Sequence, residues 1–168
     1  MPQLIKQGAA AVDTWTTLVL AEGETPDTVA LPAGDVIFPL AVWQARKADI
    51  SARPRIGLLI NPDERVEDVA DDLKQFAVIA IHFPKFVDGR GYSTAALLRQ
   101  RYQYQGEVRA VGDVLHDQLF YLKRVGFDSY ALKDGKSVDH ALAAGFTTFG
   151  NAYQASTDQP QPYFRRRS

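Results

Sequence analysis

Cysteine is absent from the 168 residues of this sequence. Its absence excludes disulfide bonds, a thiol nucleophile, a thiolate zinc site and the usual cysteine-ligated iron–sulfur clusters. The three histidines, His82, His116 and His140, show neither the HxH nor the HExxH spacing of common metal sites. We therefore expect no metal site, and any redox chemistry would need a bound organic cofactor or a partner protein.

Strong charge of one sign and long apolar runs are also missing. The formal net charge of −1 gives no electrostatic reason to expect binding to nucleic acid or to an anionic membrane. No apolar run reaches the roughly 20 residues that a membrane-spanning helix needs. The N-terminal stretch MPQLIKQGAAAVDTW lacks the apolar segment of a secretory signal. We therefore expect a cytoplasmic protein.

What is present divides into three parts. Residues 1–35 contain the β-prone stretches LIK, TWTTLVL and TVALP, separated by the turn-rich QGAAAVD and AEGETPD, which predicts a β-rich N-terminal segment of the same domain. Residues 36–150 are predicted to form a repeated βα domain, and Pro39 places its first helix at about 40–48. Residues 151–168 are predicted to be a polar, Arg-rich C-terminal tail.

From Arg55 onward, apolar stretches alternate with helical patterns. RIGLLI, VIAIHF, VRAV and DSYAL each predict a strand. NPDERVEDVADDLKQFA predicts a helix with Asn61 as its N-cap and Glu64 as the acid of a capping box. The helix in LHDQLFYLKRVG should end at Gly126 in a left-handed cap, with Phe127 folding back on it. A last helix is predicted in VDHALAAGF.

Four successive strand–helix units predict an α/β fold with a mainly parallel sheet. The strand order cannot be read from the sequence, so an open sheet and a half-barrel both fit. Two polar residues, Arg109 within VRAV and His82 near the end of VIAIHF, favour the half-barrel slightly, because polar groups on a second sheet face are typical of a barrel mouth. A half-barrel with helices on one side exposes its other face, and this predicts a homodimer.

The loops after parallel strands meet at one edge of the sheet, where ligands bind. Here these loops are NPDE, KFVDGRGYS, GDV and KDGKS. Together they offer a rim of charged and polar side chains: Asp63, Glu64, Asp88, Arg90, Ser93, Asp113, Lys133 and Lys136. KDGKS itself is interpreted as an exposed turn.

The stretch DGRGYS has two interpretations. In the first, Gly91 lets backbone N–H groups approach a ligand, Ser93 opens a helix whose N-terminus favours anions, and Arg90 clamps an oxyanion. In the second, Asp88 and Gly89 form a turn and Ser93 is an N-cap. Neither GxxxxGK[ST] nor GxGxxG is present, so the sequence shows no nucleotide-binding fingerprint.

Other polar residues near this edge are also open to two interpretations. Arg109, inside a strand, must be paired or face a wet site, and Asp88 or Asp113 would be its partner. Asp113 is either a helix N-cap or a ligand-orienting carboxylate. Arg124 can complement the dipole at the end of its helix. We interpret His82 as a core histidine rather than a catalytic base.

Three long stretches, FPKFVDGRGYSTAALLRQRY, GEVRAVGDVLHDQLFYLKRVGFDSYAL and the tail YQ…PYFRRR, resemble a bacterial family of unknown function. Its members are commonly labelled "oxidoreductase probably involved in sulfite reduction" and are often encoded beside assimilatory sulfite reductase. The resemblance covers about residues 30–165. The matching positions are Asp88, Gly89, Arg90, Gly91, Tyr92, Ser93, Arg99, Arg109, Gly112, Asp113, Asp117, Gln118, Arg124, Gly126 and Phe127.

The resemblance implies an accessory protein of assimilatory sulfite reduction, which binds a small oxyanion or docks on sulfite reductase. The alternative is an oxidoreductase or other small-molecule enzyme with a bound organic cofactor such as flavin. The sequence itself shows no cofactor motif and no catalytic residue. The candidate ligand-binding residues are Asp88, Arg90, Gly91, Tyr92, Ser93, Arg109, Asp113, Gln118 and Arg124. Docking is predicted to use the aromatic and arginine residues of the tail, Tyr163 to Arg167; in the alternative, Tyr163 and Phe164 pack back on the protein's own domain.

Overall fold

The computed structural model describes residues 3–85 and 89–132, which form one eight-stranded sheet with its helical segments. The strands are β1 Gln3–Lys6, β2 Ala9–Val12, β3 Thr16–Thr17, β4 Val36–Pro39, β5 Ile56–Ile60, β6 Val78–Phe83, β7 Glu107–Gly112 and β8 Ser129–Tyr130. The helices are α1 Leu40–Ile50, a 3₁₀ helix Val66–Gln75, α2 Arg90–Ala96 with a π-helical turn Leu97–Arg101, and a 3₁₀ turn His116–Gln118 followed by α3 Leu119–Val125.

The strand order across the sheet is β2-β1-β8-β7-β6-β5-β4-β3. From β3 to β8, strands that follow each other in the chain are neighbours in the sheet and run parallel. Strand β1 pairs antiparallel with β8 and with β2. The sheet is therefore mixed but mostly parallel, and it curls into an open half-barrel. The predicted α/β class is confirmed at this level.

The short connection from β2 to β3 explains why the sheet must curl. These two strands occupy opposite edges of the sheet, and seven inter-strand spacings in a flat sheet would separate them by about 34 Å. The chain from Val12 to Thr16 can span only about 14 Å. Asp13, Thr14 and Trp15 therefore bring the two edges together, and we call these three residues the strap.

The main core lies between the helices and one face of the sheet. Trp43 of α1 is fully buried and meets the ring of Phe76 edge-on, with centroids 5.0 Å apart. Its indole N–H donates to Asp72 at 3.1 Å, and Lys47 forms a 2.7 Å ion pair with the same carboxylate. These contacts hold α1 against the 3₁₀ helix that follows β5. The helices thus cover one face of the half-barrel.

The other sheet face is concave, and we call it the inner face. A β-carbon on Gly57 would come within 2.7 Å of Val78 and 2.8 Å of Ile37, so side chains of neighbouring strands converge there. Ile37, Val78 and Ala80 are buried on this face, with Trp15 of the strap packed against them. The guanidinium of Arg55 lies 4.8 Å from the centre of the Trp15 ring. The strap therefore covers the end of the inner face at which the parallel strands begin.

Two strands lie where the sequence predicts none. Strand β2 falls in the stretch QGAAAVD, which was expected to be a turn; Gln7 and Gly8 alone make the turn, with φ of 52° and 82°. Two successive positive φ values suit a tight hairpin, so the alanines that follow pair with β1. Strand β4 precedes α1 directly and pairs with both β3 and β5. The sheet is consequently wider than the four predicted strands.

Of the other predictions for the first 50 residues, some are confirmed and some are wrong. LIK lies in β1, whereas TWTTLVL contributes only the two residues of β3. TVALP forms no strand, because the backbone N–H of Val29 donates to the carbonyl of Thr25 and turns the chain there. The helix expected at 40–48 is confirmed, and it continues to Ile50.

The helix predicted after β5 starts later than expected and is a 3₁₀ helix. Asn61 is not its N-cap; residues 61–64 form a turn, and Arg65 occupies the cap position. Val69 has φ of −129°, which interrupts regular helical geometry. The interruption still lets Val66, Val69 and Leu73 face the core. Amphipathic spacing predicts which residues are buried, but it does not distinguish the two helix types.

The helix after β7 ends where the sequence predicts, but it begins later than predicted. A 3₁₀ turn precedes α3, which begins only at Leu119. Gly126 ends α3 with φ of 119°, and the N–H of Phe127 donates back to the carbonyl of Leu122 at 3.1 Å. The predicted left-handed cap is confirmed. KDGKS, the VDHALAAGF helix and the C-terminal tail lie outside the described residues, as does Asp88.

Candidate functional site

A cavity of about 540 Å³ lies at the C-terminal ends of the parallel strands. Its described lining comes from the ends of β6, β7 and β8: His82, Phe83, Pro84, Gly112, Asp113, Ala131 and Leu132. The volume falls within the roughly 300–1,000 Å³ that small-molecule sites occupy. Ligands in parallel α/β proteins bind at this edge. This cavity is therefore the candidate site.

His82 is the polar side chain that β6 contributes to the cavity. It is half-buried, and its Nδ1 lies 3.0 Å from Oδ1 of Asn61, the residue directly after β5. The register explains this contact, because Ile60 of β5 pairs with Ile81 of β6 and the next residue of each strand is then adjacent. An amide oxygen only accepts hydrogen bonds, so Nδ1 of His82 is the donor.

Glu64 fixes the side chain of Asn61 from the other side. Its Oε1 accepts the backbone N–H of Asn61 at 2.6 Å. Burial raises the pKa of the Glu64 carboxyl, and the hydrogen bonds from Asn61 only partly oppose this rise. The Asn61 amide oxygen faces His82, and the N–H side of the same amide faces the Glu64 carboxyl, whose pKa it helps to lower. We call these three residues the Glu64–Asn61–His82 relay.

Gly112 keeps the other edge of the His82 ring open. Its φ of 98° is left-handed, and a β-carbon there would come within 3.1 Å of Nε2 and 2.8 Å of Cδ2 of His82. The same β-carbon would lie 2.5 Å from the carbonyl oxygen of Phe83. Only glycine satisfies both conditions. Asp113 follows, half-buried, and its backbone N–H donates to that Phe83 carbonyl at 2.7 Å.

The described residues of DGRGYS belong to α2. Helix α2 begins at Arg90 with Gly89 in the cap position, so Ser93 lies inside the helix, and both predictions that Ser93 opens it are wrong. Gly91, in the first turn of α2, is buried directly against Phe83. Arg90 and Ser93 are exposed. The Tyr92 ring packs against Phe83, with centroids 5.5 Å apart.

Gln118 and Arg124 lie on the helical segment that follows β7. The Gln118 amide oxygen accepts the backbone N–H of Leu115 at 3.0 Å, which closes the 3₁₀ turn. Its side chain also hydrogen-bonds the hydroxyl of Tyr92, whose pKa is raised by burial. Gln118 thereby joins this segment to α2. Arg124 is buried in the last turn of α3.

Arg109 lies away from the cavity, on the inner face of β7. Its side chain is only 4% exposed, and it pairs with Asp13 of the strap at 2.9 Å and with Glu107 at 2.7 Å. Lys6 of β1 pairs with Glu107 at 2.9 Å. Arg109 therefore pairs with Asp13 and Glu107. The sequence predicts Asp88 or Asp113 as its partner; Asp113 is not the partner, and Asp88 lies outside the described residues. This buried ion cluster ties the strap to β1 and β7.

The cavity thus brings together one predicted ligand-binding residue, Asp113, with His82, which is not among the predicted ligand-binding residues; Asn61, also not among them, contacts His82 from outside the lining. Asn61 directly follows β5 and His82 is the next-to-last residue of β6, and this position near the C-terminal end of an apolar strand is the signal that could have identified them. The interpretation of His82 as a core histidine reflects how often a lone histidine is a satisfied core residue; the structure places His82 half-buried in the cavity wall, with its Nδ1 hydrogen-bonded to Asn61. In β6 the next-to-last residue, His82, is half-buried, whereas the last residue, Phe83, is buried.

Two general properties concern the residues that the structure describes. No group of three or more histidine, aspartate or glutamate side chains is positioned to hold a metal ion among residues 3–85 and 89–132. In the same ranges, no helix is both long and apolar enough to cross a membrane.

Comparison with known proteins identifies the family. No curated protein matches this sequence. The profile of the DUF934 family, described as a bacterial protein of unknown function, matches residues 57–164. This range begins in β5 and includes β6, β7 and β8, whose ends form the cavity. The chain therefore belongs to the DUF934 family of bacterial proteins of unknown function.

Proposed function

We propose that the protein is an accessory protein of assimilatory sulfite reduction that binds a small oxyanion in the cavity at the ends of β6, β7 and β8. The observation that carries the binding step is the cavity itself, with a volume of about 540 Å³ and the ionisable side chains of His82 and Asp113 in its wall. The connection with sulfite rests on the family resemblance of the sequence. Arg90, exposed at the start of the helix after β6, would supply positive charge.

The binding step can be tested by calorimetric titration of the full chain with sodium sulfite. Replacing Arg90 by Ala should weaken binding by about tenfold, because a charge-assisted hydrogen bond contributes roughly 1.5–3 kcal/mol. The matched control is Arg101→Ala, which removes another exposed arginine from the same helical segment. Equal affinity in the two variants would exclude Arg90 from binding. Absence of sulfite binding in the unmodified protein would contradict the proposed ligand.

The accessory role can be tested by capture of sulfite reductase from solution. The tail holds Tyr163, Phe164 and three arginines, and such side chains are common anchors of protein interfaces. The full chain should capture more reductase than a chain ending at Gln159, and the difference should shrink at high salt, where charge interactions are screened. Equal capture by both chains at every salt concentration would remove the tail from docking.

A second candidate function is an enzyme with a bound organic cofactor such as flavin. The observation in its favour is size, because a cavity of about 540 Å³ is much larger than a sulfite ion and suits a ligand of many atoms. Absorbance of the purified protein in the visible range distinguishes the two candidates. A flavin spectrum that remains after gel filtration would favour the enzyme.

A further inference from the structure

The described wall of the cavity contains two ionisable side chains, those of Asp113 and His82, and one edge of the His82 ring lies beside Gly112. A nitrogen lone pair on His82 cannot hydrogen-bond a fully ionised oxyanion, because both groups are acceptors. A ligand that carries its own O–H or N–H group would instead be bound. The chemistry of the wall therefore depends on which nitrogen of His82 carries the proton.

The Glu64–Asn61–His82 relay decides the position of that proton. Glu64 accepts the backbone N–H of Asn61 at 2.6 Å and lies on the N–H side of its amide, and the amide oxygen accepts from Nδ1 of His82 at 3.0 Å. Neutral imidazole carries one proton, and with Nδ1 protonated the lone pair is on Nε2. Nε2 is on the ring edge that Gly112 leaves uncovered. The acceptor nitrogen is thus aimed past Gly112 toward the cavity.

We propose that Nε2 of His82, held as the lone-pair nitrogen by Asn61 and Glu64, accepts a hydrogen bond from the ligand of this cavity. The ligand class is then a small molecule with an O–H or N–H donor, such as a protonated oxyanion. This inference deepens the proposed function and rests on the same cavity. If the ligand is derived from sulfite, the species that binds is then hydrogen sulfite, which carries a proton, rather than the fully ionised sulfite ion.

The position of the proton can be measured without any ligand, by nitrogen NMR of the full chain with ¹⁵N-labelled histidine. The His82→Gln variant assigns the His82 signals by their loss. The unmodified protein should show the Nδ1–H form of His82. Asn61→Ala should reduce the preference for this form by about fivefold, as expected for the loss of one ordinary hydrogen bond.

Glu64→Ala tests the relay rather than the pair alone. Asn61 remains in this variant, but its amide is free to turn its N–H toward His82, which would favour the opposite form of the ring. The matched control is Asp63→Ala, which removes an exposed carboxylate from the same turn and should leave the preference unchanged. Thermal unfolding of each variant establishes that it is folded before the spectra are compared.

Access to Nε2 is measured by diethyl pyrocarbonate, which acylates unprotonated imidazole nitrogen, with peptide mass spectrometry to locate the product. His82 should be acylated in the unmodified protein, and sodium hydrogen sulfite should slow that reaction. An Nε2–H form in the unmodified protein, or an unreactive His82, would overturn the inference. The Nδ1–H form with a reactive His82 supports it; if hydrogen sulfite then gives no protection, only the proposed ligand fails.

Discussion

At the scale of one residue, the two glycines of DGRGYS differ in whether a side chain would fit at their position. A β-carbon at Gly91 would lie 2.5 Å from two ring carbons of Phe83, whereas a β-carbon at Gly89 would meet nothing within 4 Å. Real β-carbons do not approach other atoms so closely, so Phe83 would have to move. Phe83 also lines the cavity. Gly91 is therefore needed for packing between α2 and the end of β6.

We expect Gly91→Ala to lower the free energy of unfolding by roughly 1–3 kcal/mol, the usual result of overpacking a core. Gly89→Ala should change it by no more than about 0.5 kcal/mol, as is usual for an exposed site. Urea unfolding followed by circular dichroism measures both. Equal losses in the two variants would mean that loop flexibility, not contact with Phe83, is what these glycines provide.

The ion cluster on the inner face predicts a dependence of stability on pH. Burial alone would raise the pKa of the Glu107 carboxyl, but the hydrogen bonds and charges of Lys6 and Arg109 outweigh it, so the pKa is lowered below its ordinary value of 4.5. A lowered pKa in the folded state stabilises the protein above that value. The contribution is lost as pH falls through the lowered pKa.

Glu107→Gln should therefore cost roughly 3–5 kcal/mol at pH 7, the usual effect of removing one partner of a buried ion pair. The difference from the unmodified protein should shrink as pH is lowered below 4.5. Glu67→Gln is the matched control, because Glu67 forms a longer pair with the exposed Arg65 at 3.6 Å. Urea unfolding at a series of pH values measures both. A difference that is constant with pH would contradict the assignment.

The ion pairs of Arg109 show why the surroundings of a candidate site residue were only partly predictable from the sequence. The sequence shows that an arginine within a strand needs an acid, and this inference is correct. Asp13, however, is 96 residues away in the chain. It reaches Arg109 only because the sheet curls and the strap crosses its inner face. The strand pattern around Arg109 shows that it needs an acidic partner, but only the folded chain shows that this partner is Asp13.

At the scale of elements, Arg99 holds together the connections that precede β7 and β8. Its guanidinium donates to the carbonyl oxygens of Tyr104, Gly106 and Gly126 at 2.8, 2.8 and 2.9 Å. Asp128 lies 3.6 Å from the same group. These connections are at the N-terminal edge of the parallel strands, opposite the cavity. Residues at that edge of a βα sheet serve stability rather than ligand binding.

Arg99→Ala should thus reduce stability by roughly 2–4 kcal/mol, because buried carbonyl oxygens lose charged donors. Arg99→Lys should recover only part of the loss, since an ammonium group cannot reproduce the planar fork of guanidinium. Arg101→Ala, which removes an exposed arginine nearby, is the control. Chemical denaturation measures stability, and sulfite titration of the folded variants should give unchanged affinity. A selective loss of affinity would assign Arg99 to the site instead.

Elements were predictable where one local signal dominates. The apolar runs of β5, β6 and β7 and the glycine cap of α3 were read correctly from the sequence. Strand β2 was missed because alanine has a low strand propensity, and its pairing with β1 depends on the turn at Gln7 and Gly8. The relay was missed because it needs the register of β5 against β6, which no single segment contains.

At the scale of the whole molecule, the sequence limits the fold to two arrangements, an open sheet and a half-barrel, and favours the half-barrel only slightly. Whether the sheet stays open or curls depends on the strap, because three residues cannot connect the edges of a flat sheet. The sequence alone does not show that β2 and β3 are those two edges. The homodimer stays a prediction. Its original reason was an open apolar face, whereas Ile37, Val78 and Ala80 of the inner face are buried in the described part of the chain.

The strap is predicted to hold the sheet in its curled form, because it joins the two edge strands, β2 and β3, through only three residues. Five Gly/Ser residues inserted after Thr14 would let the edges separate and would displace Trp15 from Arg55 or Asp13 from Arg109. Lengthening a flexible loop alone costs only about 0.6 kcal/mol per doubling. A displaced buried ion pair costs roughly 3–5 kcal/mol, so the insertion should lower the melting temperature sharply. The same insertion after Gly23, in an exposed turn with φ of 85°, is the control. Similar small losses at the two sites would show that the half-barrel keeps its curl without the strap.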